Sequence, residues 1–338
     1  MDTLLVWKEQ LQMFYGKYSS YIDKGLRLIL GLLVFGAINL NIGFTKQAAS
    51  VFVTVGLSVI CTFLPLIVMT ILAAGLILIH FYSVSLPVVL ITAVVFLIMY
   101  IFYFRFTPKK AWLILLTPLA FVLKIPYVIP VAFGLVGTPV FAVPVACGTI
   151  VYYMLHYVKG ASAALKSSGT DSMIKSLSAY TKQIVQNKEM FVAILAFTVC
   201  LLLVYNLRMR AADQAWKIAI GAGVISELVL FIAGDLAFGV HTDYLTLILG
   251  SAVSVVIGMA LEFMIFSVDY SRTQRMQFED DEYYYYVKAV PKIVVSAPEK
   301  TVKKINERQE WSQKETEEEL LKQSLNKELG MENNSTKK

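Results

Sequence analysis

Seven or eight apolar runs, most near the length of a membrane crossing and bounded by charges or turn residues, constrain this chain more than any other feature. A spanning helix needs about 20 predominantly apolar residues. The clear runs are Leu26 to Phe44, Val51 to Tyr82 with a break at Pro65, Leu86 to Phe104, Phe191 to Tyr205, Ile218 to Phe238 and Leu245 to Phe266, with an unusual apolar stretch from Ala111 to Tyr157 between them. The 338 residues are 57% hydrophobic and 16% charged, with a mean hydropathy of +0.65. That balance excludes an ordinary soluble domain. The expected fold is an all-α integral membrane protein of about eight transmembrane helices, with a leader at 1–24, a transmembrane domain at 25–268 and a charged tail at 269–338.

About 24 mixed residues precede the first apolar run, which does not fit a cleaved signal. Leu4, Trp7, Leu11, Phe14 and Tyr18 recur every three or four residues there, the pattern of an amphipathic helix at the membrane interface. A helix that binds a partner protein is the alternative.

The central stretch holds five of the ten prolines, Pro118, Pro126, Pro130, Pro139 and Pro144, together with Gly134, Gly137, Gly148 and Lys124. Proline removes a backbone donor and clashes with the preceding turn, so half-helices or re-entrant pieces are expected rather than two clean spans. Broken helices of this kind often lie at substrate sites in transporters. Two kinked helices in a packed core are the structural alternative. The run starts near Leu26, Val51 and Leu86 are echoed near Phe191, Ile218 and Leu245, at offsets of about 160 to 168 residues, a spacing compatible with a three-plus-three repeat.

Four ionisable groups stand inside apolar runs: Lys124, Glu227, Asp235 and Glu262. Each costs several kcal/mol unless it faces a cavity or a partner, which makes them the candidates for a pathway or coupling role. A Lys124–Glu227 pair would neutralise both charges, and an unpaired carboxylate could carry a proton or cation. The structural alternative is a buried ion pair that fixes packing, or side chains that reach back to the interface, which suits Asp235 and Glu262. The loop from Lys159 to Lys188 carries Leu165, Ile174, Leu177, Tyr180 and Ile184 and reads in its later half as an amphipathic helix flat on the bilayer.

In the tail, Tyr283, Tyr284, Tyr285 and Tyr286 are followed by Val287 and Lys288, composition that favours a strand ended or edged by Pro291. Such a strand wants a partner: a second protein by strand addition, or the headgroup layer. Lys303 to Glu319 and the leucines beyond it read as a charged helix with no sustained heptad. The stretch FSVDYSRT followed by QFEDDEYYYYVKAVPKI, Phe266 to Ile293, resembles the tail of an uncharacterised multi-pass membrane protein family of clostridial-type anaerobes, some members of which carry permease labels. The resemblance implies a bacterial plasma-membrane protein and brings no catalytic or binding residues with it.

The net charge of +6 lies mostly next to hydrophobic runs, so the expected partner is the lipid bilayer and not nucleic acid. Lys and Arg counts on the two sides of an eight-span arrangement nearly balance, and the charged tail argues for cytoplasmic termini. Cys61, Cys147 and Cys200 lie in apolar runs as small hydrophobes. His80, His156 and His241 are scattered without metal-ligand spacing, and there is no phosphate loop or nucleophile elbow, so no metal, cofactor or enzymatic activity is expected. Two functions remain open: a transporter or permease-like subunit with its pathway through the Pro-rich centre, or a scaffold whose tail recruits proteins.

Overall fold

The computed structural model describes residues 2–106, 110, 112–166, 173–210, 212–240, 243–265, 274–289, 317–322, 324 and 325. Ala111, His241, Arg272, Pro291, Leu329 and the segment 302–315 lie outside the described residues. Residues 1–5 with 294–338 form one unit and 6–293 another. The first unit contains a short helical stretch at 317–322 whose Leu320 and Leu321 are exposed.

Eleven α-helices and a hairpin make up the described elements of the second unit: α1 (Asp2–Ile42), α2 (Val51–Phe63), α3 (Leu66–Tyr82), α4 (Leu86–Phe106), α5 (Trp112–Val122), α6 (Val128–Val136), α7 (Ala142–Lys166), α8 (Met173–Val185), α9 (Lys188–Arg208), α10 (Ala215–Phe238), α11 (Tyr244–Ile265), β1 (Gln274–Glu279) and β2 (Tyr284–Ala289). The leader and the first span form one helical run, with Tyr18 outside helical geometry at φ −118° and ψ 20°. Ser50 caps α2 by accepting from the Val53 amide at 3.3 Å. Asn187 caps α9 through the Met190 amide at 3.0 Å, with Glu189 in the favoured first turn. Gly239, at φ +63°, ends α10 in the left-handed conformation open to glycine.

Among the described residues five stretches, not clearly eight, are long and apolar enough to cross a membrane: Val6–Ile42, Pro139–Ser162, Ser178–Arg208, Ala215–Phe238 and Tyr244–Ile265. The difference has local causes. The run from Val51 to Tyr82 does break at Pro65, into helices of 13 and 17 residues that rise only about 20 and 26 Å. In the centre, α5 and α6 have 11 and 9 residues. At 1.5 Å per residue neither crosses a hydrocarbon core of about 30 Å. They form a helical hairpin instead. Its tip closes when the Ile125 amide reaches back to Ala120 O at 2.9 Å and Pro126 forbids continuation, with Lys124 left-handed at φ 59°.

The ends of these helices define two faces. Lys8 donates to Phe263 O at 2.9 Å, Arg208 to Gly137 O at 2.6 Å, and Lys288 pairs with Asp213. The starts of α1, α7 and α10 and the ends of α6, α9 and α11 therefore share a proximal face with the β-hairpin. On the distal face Lys159 meets Asn41 at 3.3 Å, Lys188 donates to Phe238 O at 3.4 Å, and Tyr244 bonds Asp235. The α5–α6 hairpin enters from the proximal face. Gly148 of α7 lies against Thr117, and Phe121 stacks on Tyr152 at 4.3 Å, so α5 runs parallel to α7 and brings Lys124 to the level of His156.

One core joins α1, α3, α4, α7 and α8. A second and third join α5, α6, α9 and α10, with the start of α11. The helix α8, expected flat on the bilayer, turns Tyr180 into the protein. Tyr180 is fully buried, bonds the Thr92 hydroxyl at 3.0 Å and stacks on Tyr157 at 5.7 Å, so the apolar face of α8 packs on α4 and α7.

The tetra-tyrosine strand finds its partner within the chain. β1 pairs antiparallel with β2, Phe278 opposite Tyr285 and Arg275 opposite Lys288. Asp280 holds the turn by accepting from the amides of Glu282 at 2.9 Å and Tyr283 at 2.7 Å and from the Tyr285 hydroxyl at 2.8 Å. Those bonds hold the Asp280 carboxyl below its ordinary value of 3.8. A depressed carboxylate stabilises the fold above the unfolded value and loses that contribution as pH falls through the folded one. The hairpin is therefore expected to keep its amide protection down to about pH 4 and to lose it below, and Asp280→Ala to remove it at every pH, read by hydrogen exchange of the Tyr284–Ala289 amides.

Candidate functional site

The broken centre walls a cavity of about 350 Å³ between the two groups of helices, lined from α1, α3, α4, α5 and α7. That size falls in the range of small-molecule sites, roughly 300–1,000 Å³. Small side chains make the space: Ala37 on α1, and Ala73 and Ala74 on α3, face Pro118 and Leu119 on α5. Pro118 sits inside α5, where its missing amide leaves the preceding turn open. The Tyr100 hydroxyl bonds Thr70 O at 2.8 Å within the wall.

The mouth on the distal face differs in chemistry. Its lining includes Asn41, Lys124, His156 and Lys159, with no acidic side chain. Lys159 donates to Asn41 at 3.3 Å. Lys124 has the backbone conformation that a β-carbon disfavours by roughly 1–2 kcal/mol, although glycine would adopt it freely. Asp243, at the start of α11, lies within the field of Lys124. Its carboxylate is held low mainly by the Thr246 hydroxyl at 2.5 Å, then by the Thr246 and Leu245 amides.

Of the four ionisable residues singled out in apolar runs, the structure brings only Lys124 to this cavity. It does not pair with Glu227, whose carboxyl oxygens have no hydrogen-bond partner in a separate packed region between α6, α9, α10 and α11. Asp235 accepts from the Tyr244 hydroxyl at the distal end of α10. Glu262 is half-buried near the proximal end of α11, within the field of Lys217. Tyr283, Tyr284, Tyr285, Tyr286 and Val287 are exposed on the hairpin, and Lys288 pairs with Asp213.

The sequence did not single out Asn41, His156 and Lys159 as one cluster; the available signal was polar residues at the ends of apolar runs. A second polar group near the distal face is structural. His80 accepts from the Thr45 amide at Nδ1, 3.3 Å, so its Nε2 donates to Asn39 at 2.9 Å, and Asn39 donates to Thr54 at 2.7 Å. This partly buried network ties α1, α2 and α3 together. Among the described residues no group of three His, Cys, Asp or Glu side chains is placed to hold a metal. Comparison with family models, with curated proteins and with solved structures finds no match to this chain.

Proposed function

We propose that this membrane protein is a transporter or permease-like subunit that takes an amphipathic anion, its tail between α1, α3, α5 and α7 and its headgroup at Lys124, His156 and Lys159. The observation that carries the reading is the division of one cavity into apolar walls and a mouth lined, among the described residues, by cations and no carboxylate, with Asp243 acting on Lys124 from outside the lining. A carboxylate or phosphate headgroup gains charge-assisted hydrogen bonds there, whereas a cationic headgroup meets like charge. The strained backbone of Lys124 supports the same reading, since strain concentrates at functional positions.

Sidedness follows from the positive-inside rule. Among Lys and Arg with described side chains, the proximal face holds Lys8, Lys17, Lys24 and Arg27, Lys110, Arg208, Arg210 and Lys217, and Arg275 and Lys288, ten in all. The distal face holds Lys46, Lys124, Lys159, Lys182 and Lys188, five. We therefore assign the proximal face to the cytoplasm and the mouth to the opposite side, in the plasma membrane that the resemblance of the tail implies. A scaffold role is the second reading, favoured by the ordered hairpin with Tyr284, Tyr285 and Tyr286 exposed beside the Lys288–Asp213 pair.

The test compares a fluorescent long-chain alkyl phosphate with its alkyl trimethylammonium counterpart on protein held in lipid nanodiscs. The phosphate is expected to bind and the ammonium not. Lys124→Gly and Lys159→Gln should each weaken phosphate binding about tenfold, the loss of one charge-assisted bond. Glycine relieves the left-handed strain, so Lys124→Gly should unfold no earlier than the parent, which separates lost binding from lost fold. Equal binding of both headgroups, or binding indifferent to both substitutions, contradicts the reading.

A further inference from the structure

Glu227 is the one carboxyl among the described residues that is wholly buried, and neither of its oxygens has a hydrogen-bond partner. It sits on the face of α10 turned to α6, α9 and α11. The Cys200 thiol lies beside it and donates to Gly223 O at 3.4 Å. Two more buried polar atoms are unpartnered, the hydroxyls of Ser251 and Ser254 on α11. Helix register brings them to the same level. α10 and α11 are antiparallel, with Gly258 against Ile220 toward one end. Toward the other, Gly250 lies against the Tyr127 ring, which packs edge-on to Phe231 at 5.3 Å. Glu227 lies between Ile220 and Phe231, as Ser251 and Ser254 lie between Gly250 and Gly258.

The groups facing Glu227 are thus Tyr127 from α6, Cys200 from α9, and the two serines from α11; no Lys or Arg acts on it. An ionised carboxylate in such a place costs several kcal/mol, and the neutral acid removes that charge while adding an O–H donor that serine oxygens accept. The partner helix is the least embedded of the crossing segments. Only 22% of the apolar window of α11 is buried, against 44% for the windows containing α7 and α9. Apart from Leu247 near its start, it meets its neighbours through the small residues Gly250, Ser251, Ser254 and Gly258.

We propose that Glu227 is a proton-binding site whose occupancy sets the packing of α11. With the proton bound, the carboxylic acid and the two serines close α11 against α6 and α10. When α11 moves off and water enters, the acid passes its proton to that water and the carboxylate becomes hydrated, which holds the helix open. Nothing in this depends on the headgroup reading of the cavity.

The test needs no transported substrate. Dicyclohexylcarbodiimide, which reacts with protonated carboxyls in apolar surroundings, is added to the full-length protein in nanodiscs, and the adduct is located by mass spectrometry. An adduct on Glu227 in mildly acidic buffer that is lost in mildly alkaline buffer is expected. In a Cys61→Ala, Cys147→Ala background the remaining Cys200 reports opening: its labelling by a small permeant thiol reagent should rise with pH beyond the rise seen in Glu227→Gln, which stays closed. Absence of a Glu227 adduct at every pH, or identical Cys200 labelling with and without the acid, overturns the proposal. The carbodiimide arm uses the unaltered residue, so it decides the matter even where Glu227→Gln does not accumulate.

Discussion

Gly223→Ala is expected to lower stability by about 3 kcal/mol, the upper end for overpacking a filled core by one methyl group. A β-carbon at Gly223 would stand 2.3 Å from Val204 Cγ2, a contact that side chains do not tolerate. Val204 has nowhere to retreat, because on its other side Gly134 admits it so closely that a β-carbon there would stand 2.7 Å from Val204 Cβ. One fully buried valine of α9 is therefore wedged between α6 and α10 at two glycines. Thermal unfolding of purified protein should show the loss. A double-mutant cycle identifies its cause: Val204→Ala alone removes buried methyl groups and destabilises, yet combined with Gly223→Ala it should cost much less than the two single changes together. A neutral Gly223→Ala, or strict additivity, would contradict this packing.

Arg208→Ala carries the second large effect, again about 3 kcal/mol, by a different mechanism. The guanidinium closes the end of α6 by donating to the carbonyls of Leu135 and Gly137, which the broken centre leaves without helical partners. A cation at a helix C-terminus is also favoured by the peptide dipoles. Arg208 lies over the rings of Tyr205 and Trp216, 5.2 and 5.8 Å from their centroids, and so joins α9, α6 and the start of α10 at one point. Arg208→Lys keeps the charge and loses the planar fork, so it should recover only part of the stability. Equal behaviour of the lysine and alanine variants would show that the paired bonds contribute little.

Much of this architecture was legible in the chain, and the failures have particular causes. The break at Pro65 was readable because nothing else competes for that position. The five central prolines were readable as a disturbance, but only Pro126 ends a helix. Pro130 and Pro144 fall in the first turns of α6 and α7, where no amide bond is lost, and Pro139 opens a short 3-10 turn. Their effect depends on distance from a helix start, which proline count alone does not state. The half-helices expected in the centre are present as the α5–α6 hairpin, and among the described residues five stretches, not clearly eight, are long and apolar enough to cross. α8 was recognised as amphipathic, but a face bearing Tyr180 suits a protein groove as well as a membrane surface, and only Thr92, 88 residues away, decides between them.

The candidate site was half visible. Lys124 and Glu227 stood out as charges in apolar runs, and pairing them was the economical guess. Register between helices separates them, Lys124 to the hairpin tip beside Asn41 and Lys159, Glu227 to a packed level with Ser251 and Ser254. Residues contributed by α1, α3 and α7 could not be grouped from spacing, because which helix faces which is set by contacts far apart in the chain. The strand of tyrosines was likewise foreseen, while its partner Gln274–Glu279, an unremarkable polar run, was not.

The central claim is that the broken centre encloses an accessible cavity open on the distal face. Its most direct measurement places single cysteines at Ala37, Ala74, Leu119 and Leu155 along the cavity wall, and at Leu195 on the outer surface of α9 as a control, in a chain lacking Cys61, Cys147 and Cys200. Each is treated with a membrane-impermeant thiol reagent in whole cells and in inverted vesicles. The account predicts labelling of the four wall positions from whole cells alone, reduced by the long-chain alkyl phosphate, with Leu195→Cys protected by lipid from both sides. Uniform protection of the wall positions from both sides would contradict it.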